Sequence, residues 1–119
     1  MADLNTGVKY DAGKLRYDLV AWDALDEVAR VYTYGARKYA DRNWELGMSW
    51  GRVFAAVIRH LSKWAMGERL DDESGLPHLA HAAWGTLTLL AYETRRSGTD
   101  DRAPSLASEL TKGLEKLNG

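Results

Sequence analysis

The stretch PHLAHAAWGTLTLLAYETRRSG, residues 77–98, decides the fold class. Pro77 suits the first turn of a helix and Gly98 the position just after one, so a helix is predicted from about residue 77 to 96. This helix is apolar almost all round, which is typical of a helix packed among others. Its exception is one stripe: His78, His81, Gly85, Thr88 and Tyr92. We therefore predict an all-α fold with this helix at its centre.

Two more long helices and one short helix are predicted on either side. Apolar residues recur at helical spacing over residues 22–39 and again over residues 50–66, where Ser49 is a good N-cap and Gly67 a stop. A C-terminal amphipathic helix, residues 103–118, is too short to be stable alone. The sequence thus predicts a small helical bundle of three main helices plus a short C-terminal helix.

The front of the chain differs from the rest. Residues 1–20 have turn signals and no helical period, which predicts an extended, irregular N-terminal arm. Residues 22–96 are the predicted helical core, and residues 97–103 are interpreted as a linker. With 119 residues, the chain has room for a single domain, residues 1–119.

Composition excludes several functional classes. The net charge is −1, whereas a general phosphate-backbone binder carries a basic excess, so we expect no nucleic-acid partner. Cysteine is absent, which excludes disulfides and cysteine catalysis and fits a reducing cytoplasm. No apolar run approaches the length of about 18 residues that a membrane span needs, and the N-terminus lacks a signal core.

The arm carries Lys9, Lys14 and Arg16 around Gly13. It is not a P-loop, because five residues instead of four separate Gly7 from Gly13 and no hydroxyl residue follows Lys14. Its cations can still clamp phosphates as charged donors. The alternative is a solvated basic loop.

The first helix has acids at its start. Asp23 and Glu27 are four residues apart and share a face, so they can hold one divalent cation. The alternative is that acids near a helix start complement the helix dipole, which explains Asp23 better than Glu27.

The far end of that helix gathers Lys38, Tyr39, Asn43 and Trp44. Two flat rings beside an amide and an ammonium group make a site for a base and a phosphate. The alternative is a helix end that is simply packed by aromatic side chains.

The three histidines are the remaining candidates. His78 and His81 are three residues apart on one helix face, and His60 lies at the edge of an otherwise apolar helix. The acidic loop 68–73 connects these two helices, so a metal site of histidines and carboxylates is possible. The alternative is that each is a hydrogen-bonded core histidine.

Several blocks of sequence together resemble a known family. They are GVKYDAGKLRYD (7–18), ALDEVA (24–29), YGARKY (34–39), NW (43–44), RHL (59–61) and ESGLPHLAHA (73–82). Over roughly residues 7–93 they resemble a bacteriophage family of dATP/dGTP diphosphohydrolases, which is similar to the all-α MazG-like nucleotide pyrophosphohydrolases. The resemblance implies acids on two helices that hold Mg²⁺ or Mn²⁺, attack of water on a nucleoside triphosphate, and assembly into dimers or tetramers.

This chain departs from the MazG pattern in two places. Arg30 and Val31 follow Asp26-Glu27 where another acid is expected, and His78-x-x-His81 replaces Glu-x-x-Asp. Because imidazoles favour transition metals over Mg²⁺, either the metal is bound differently or none is needed.

The leading hypothesis is an enzyme that hydrolyses a purine (deoxy)nucleoside triphosphate to the monophosphate and pyrophosphate. Glu27 is the predicted catalytic residue. The predicted ligands of the divalent metal (Mg or Mn, or another transition metal) are Asp23, Glu27, Asp71, His78 and His81. The predicted nucleotide-binding residues are Lys9, Asp11, Lys14, Arg16, Tyr34, Lys38, Tyr39, Asn43 and Trp44.

The alternative hypothesis is a non-catalytic protein that sequesters host immune signals such as cyclic oligonucleotides or ADP-ribose derivatives. In both hypotheses the expected partners are a purine nucleotide and further copies of the chain, as a dimer or tetramer. The expected location is the cytoplasm of an infected bacterium, with no membrane contact.

Overall fold

A computed structural model describes residues 6–104 and 112–117, and these are all-α. The three long helices are α1 (Trp22–Lys38), α2 (Trp50–Ala65) and α3 (His78–Arg95). Their ends lie within a residue or so of the predicted ones. Residues 112–117 form a fourth, short and exposed helix, while much of the predicted C-terminal helix 103–118 and the first five residues of the arm lie outside the described residues.

The central position predicted for α3 is confirmed, because this helix packs on both α1 and α2 and most extensively on α2. The face of α3 that is buried is the stripe containing His78, Gly85, Thr88 and Tyr92. A Cβ atom added at Gly85 would collide with Val57 of α2, so glycine is what permits this close approach.

Apolar side chains on the other faces of α2 and α3 remain exposed. Phe54 of α2 is 57% exposed and Leu90 of α3 is 55% exposed. The predicted oligomer would cover such a surface, and it stays a prediction. Within the described part of the chain, no helix combines the length and the hydropathy that crossing a membrane requires.

The start of α2 corrects two expectations. Ser49 does occupy the N-cap position, but its side chain makes no capping hydrogen bond. Instead Asp101 accepts a hydrogen bond from the Gly51 amide at 2.7 Å, and Thr99 O accepts one from the Trp50 amide at 2.9 Å. The segment 97–103 is therefore not a free linker, because it satisfies the unpaired amides at the N-terminus of α2.

The loop between α2 and α3 turns back tightly on itself. The Asp71 amide donates to Leu76 O at 2.8 Å, and the Gly75 amide donates to Asp71 O at 2.8 Å. At the base of the loop, the His78 amide donates to Arg69 O at 2.9 Å. These bonds fix the acidic loop beside the first turn of α3.

Candidate functional site

A cluster of three histidines lies where α2 meets the start of α3. Nδ1 of His60 and Nδ1 of His78 are 2.9 Å apart, and the rings of His60 and His81 stack with centroids 4.5 Å apart and an angle of 7°. His78 is completely buried. The cluster therefore joins residues that are 18 and 21 positions apart in sequence.

The two facing nitrogens can share a proton or a cation. Nε2 of His78 lies 3.3 Å from Glu68 Oε1, but off the direction that a hydrogen bond requires, so this buried nitrogen has no hydrogen-bond partner among the described residues. The nearby carboxylate favours a proton on that Nε2, which leaves Nδ1 of His78 to accept from Nδ1–H of His60. A cation that replaced the shared proton would meet two nitrogen lone pairs.

Asp71 and Ser74 complete the cluster from the loop. Asp71 Oδ2 accepts a hydrogen bond from the Ser74 amide at 2.9 Å, and Ser74 Oγ lies 2.7 Å from His81 Nε2. Ligand atoms of His60, Asp71 and His78 all lie within 4.8 Å of one another. This is the only such group of three within residues 6–104 and 112–117.

The charge state of the cluster at neutral pH suits a divalent cation. Burial, aided by His81, lowers the pKa of His60 to about 4, and burial also lowers the pKa of His81. Burial opposes ionisation of Asp71, but hydrogen bonds from Ser74 and the nearby histidines outweigh it and lower the pKa of this carboxyl. Neutral imidazoles and an ionised carboxylate are the forms that bind metal.

A cavity of about 590 Å³ lies between α1 and α2. Its lining is Tyr32, Gly35, Ala36, Tyr39, Ala40, Asp41, Arg42, Asn43, Trp44, Met48, Arg52, Val53, Ala56, Arg59 and Trp84. Aromatic rings and guanidinium groups dominate its larger side chains. A cavity of this size and lining can take a flat ring together with an anionic group.

The cavity wall at Trp44 is held rigidly. Buried Tyr92 donates its hydroxyl to Trp44 O at 2.5 Å, and the Arg95 guanidinium lies 5.3 Å from the Trp44 ring centroid. The ring of Tyr32 meets Trp44 edge-on at 6.0 Å. Trp44 is therefore largely packed by its own chain, whereas Tyr39, which is 65% exposed, is freer to stack on a ligand.

Comparisons with known proteins agree with the resemblance seen in the sequence. The family described as dATP/dGTP diphosphohydrolase, N-terminal, matches residues 4–102. The chain belongs to this family. It is also 39% identical over 102 residues to a protein of Salmonella phage PMBT28 named dATP/dGTP diphosphohydrolase.

The match to the phage protein covers 86% of this chain and 35% of the relative, so the chain spans about a third of the relative's length. No solved structure matches the chain. The family is thus assigned by sequence alone.

The predicted nucleotide-binding residues of this family member fall into separate places. Tyr39, Asn43 and Trp44 line the cavity. The Lys38 ammonium lies 5.4 Å from the Tyr39 ring centroid. However, Tyr34 and Lys38 do not line the cavity, and both bind the carboxylate of Glu73. That contact raises the pKa of Lys38 and lowers the pKa of Glu73.

The arm residues lie apart from this cavity. Asp11, Lys14 and Arg16 line a separate surface depression formed by the arm alone, and Lys9 is exposed. Arg16 makes two hydrogen bonds to Asp18, at 2.7 and 2.8 Å. Their role in phosphate binding stays a prediction.

The predicted metal ligands are brought together only in part. Asp71 and His78 belong to the three-residue group, and His81 lies beside it, with Nε2 4.0 Å from Asp71 Oδ2. Glu27 pairs with Arg30 at 3.4 Å, and Asp23 accepts from the Ala24 amide at 2.9 Å. Neither belongs to the group, and the roles proposed for them stay predictions.

Sequence reasoning left out several members of the site. The sequence shows His60 only as an imidazole at the edge of an apolar helix, Glu73 as one acid of the loop 68–73, and Ser74 as part of a family block. The signal available for His60 was the isolated imidazole on that helix, since its partner lies 18 residues further on.

Proposed function

We propose that the chain binds a purine deoxynucleoside triphosphate in the α1–α2 cavity and hydrolyses it to the monophosphate and pyrophosphate. The observation that carries the proposal is the meeting of three metal-ligating side chains, His60, Asp71 and His78, beside a cavity lined by aromatic rings and arginines. The family match and the name of the phage relative support the same substrate class.

The residues present fit a divalent transition metal. Nδ1 of His60 and Nδ1 of His78 lie 2.9 Å apart, with a ligand atom of Asp71 within 4.8 Å, and two imidazoles with one carboxylate favour Mn²⁺, Fe²⁺, Co²⁺ or Zn²⁺ over Mg²⁺. When bound, such a cation would neutralise phosphate charge and make a water molecule more acidic. Ser74 would keep His81 and Asp71 in place through the hydrogen bonds that it makes to both.

The proposed reaction class is the one that the name of the phage relative implies. Water adds to the α-phosphorus, the bond from this phosphorus to the bridging oxygen breaks, pyrophosphate leaves with the bonding electrons, and the attacking water releases a proton to the solvent. Catalysis of such a step consists mainly of positioning and charge stabilisation. Tyr39 and Asn43 would hold the base, which leaves the phosphates to the cationic and metal-binding part of the site.

Hydrolysis is tested by incubating the chain with dGTP or dATP and Mn²⁺ or Mg²⁺ and separating the products by chromatography. We expect the monophosphate and pyrophosphate, with a loss of about tenfold or more in Asp71→Asn, because loss of the carboxylate charge weakens metal binding. Asp72→Asn is the matched control, since Asp72 is exposed and outside the three-residue group.

Two results would contradict the proposal. Release of orthophosphate or of a free nucleoside would indicate a different reaction. Tight binding of nucleotide that is recovered intact with every metal would instead favour sequestration, which the comparisons do not support.

Glu27→Gln, with Asp26→Asn as its control, tests the proposed catalytic role of Glu27 in the same assay.

A further inference from the structure

We propose that Arg52 and Arg59 of α2 bind the phosphate groups of the nucleotide and direct them toward His60. The inference rests on the proposed function for the identity of the ligand. It adds a helix face of the core to the places where the sequence predicted phosphate binding, which are the arm and Lys38.

The first argument is the position of the two arginines. Both line the cavity, with Ala56 between them on the same side of α2. They are seven residues apart, so their Cα atoms are separated by about 10 Å along the helix. Two long side chains at that spacing can converge on a chain of linked phosphates, while the small Ala56 leaves room between them.

The second argument is charge. Three guanidinium groups, of Arg42, Arg52 and Arg59, line the cavity against one carboxylate, Asp41. Arg42 is 3.9 Å from Glu45, but among the described residues neither Arg52 nor Arg59 makes a salt bridge. Guanidinium groups without a carboxylate partner are suited to bidentate binding of phosphate oxygens.

The third argument is that lining residues of the cavity adjoin members of the histidine cluster, or residues in contact with it, on all three helices. On α2, Arg59 of the cavity precedes His60 of the cluster, and on α3, Trp84 of the cavity is one turn from His81. On α1, Gly35 of the cavity follows Tyr34, whose ring meets His81 edge-on. A nucleotide with its base near Tyr39 would therefore extend its phosphates past Arg59 toward the metal-binding group.

The test is a calorimetric titration without metal, in which no turnover is needed. The ligands are dGTP, dGMP, deoxyguanosine and inorganic tripolyphosphate. The variants are Arg52→Gln and Arg59→Gln, and the matched control is Arg37→Gln, an exposed arginine of α1 outside the cavity.

We expect each cavity variant to weaken dGTP binding by about tenfold or more, since hydrogen bonds to charged groups are lost. Binding of dGMP should weaken less and binding of deoxyguanosine should not change. Tripolyphosphate should compete with dGTP for the unaltered chain. Arg59→Lys, which keeps the charge but not the planar fork, should fall between Arg59→Gln and the unaltered chain.

The inference is overturned if Arg52→Gln and Arg59→Gln bind dGTP as the Arg37→Gln control does, or if they weaken all the ligands equally. Its failure can be told apart from that of the proposed function. If the chain hydrolyses dGTP and both arginine variants keep their dGTP affinity, only the inference is wrong. If the two variants selectively lose dGTP binding but the unaltered chain never hydrolyses dGTP, only the proposed catalysis is wrong. A chain that binds no dGTP contradicts both.

Discussion

Replacing Gly85 with alanine tests how closely α2 and α3 approach each other. Helix propensity alone predicts that Gly→Ala in the middle of a helix stabilises the fold by about 1 kcal/mol. The structure predicts the opposite sign, because the new Cβ would overlap a methyl group of Val57, a buried β-branched side chain with little rotamer freedom. Overpacking costs about 1–3 kcal/mol, and so close an overlap belongs in the upper half of that range. After subtracting the gain of about 1 kcal/mol in helix propensity, we expect a net loss of about 1–2 kcal/mol.

The matched control is Gly35→Ala in α1, where an added Cβ has no atom within 4 Å. This variant should be more stable by up to about 1 kcal/mol, as helix propensity predicts. Removing the Val57 methyl groups should relieve the clash. The double variant Gly85→Ala/Val57→Ala should therefore lose less free energy of unfolding than the two single variants lose in sum, with a coupling energy of about 1–2 kcal/mol.

The assay is urea denaturation followed by circular dichroism at one fixed protein concentration, because association would shift the midpoint. A Gly85→Ala variant as stable as the original chain, or more stable, would refute the close packing of α2 on α3. So would additive effects in the double variant, since they would show that the two positions do not touch.

Three further predictions concern assembly, the cavity wall and the arm. The exposed apolar faces of α2 and α3 should be covered in an oligomer, so light scattering should give a multiple of 13.3 kDa, and a monomer mass at micromolar concentration would contradict this. Tyr92→Phe should lower the free energy of unfolding by about 1 kcal/mol, because the Trp44 carbonyl loses the Tyr92 hydroxyl as a donor but keeps the Gly47 amide; an unchanged urea midpoint would show that the bond contributes nothing. Lys14→Ala with Arg16→Ala should weaken nucleotide binding by about 2 kcal/mol if the arm closes over the phosphates, whereas unaltered affinity in calorimetry would indicate a solvated loop.

The sequence predicts the helices well because their signals are local. Apolar periodicity, Pro77 and the glycines set the bounds of α1, α2 and α3 almost to the residue. The face of α3 that is buried is harder to predict, because α3 has more apolar residues outside the buried stripe than within it. What decides the packing is the absence of a side chain at Gly85, whose effect depends on Val57 of another helix.

In the candidate site, too, local signals are predictable from the sequence and contacts between helices are not. Asp71, His78 and His81 follow from a short acidic loop and a local spacing, whereas His60 joins them only through the packing of α2 on α3. The segment 97–103 has the polar composition of a linker, and its bonds to Trp50 and Gly51 are visible only in the folded chain. Tyr34 and Lys38 are four residues apart and share a face of α1, whereas Tyr34 and Tyr39 are five apart and do not.

The most direct test of the metal centre is a calorimetric titration of the chain with Mn²⁺ in the absence of nucleotide. We expect one Mn²⁺ site per chain, because one chain supplies all three ligands. Binding should weaken by about tenfold or more in Asp71→Asn but not in Asp72→Asn. The substitution keeps an oxygen that can accept from the Ser74 amide, so the loop should keep its fold. Equal Mn²⁺ affinity in both variants, or no binding to the unaltered chain, would contradict the assignment of His60, Asp71 and His78 as a metal site.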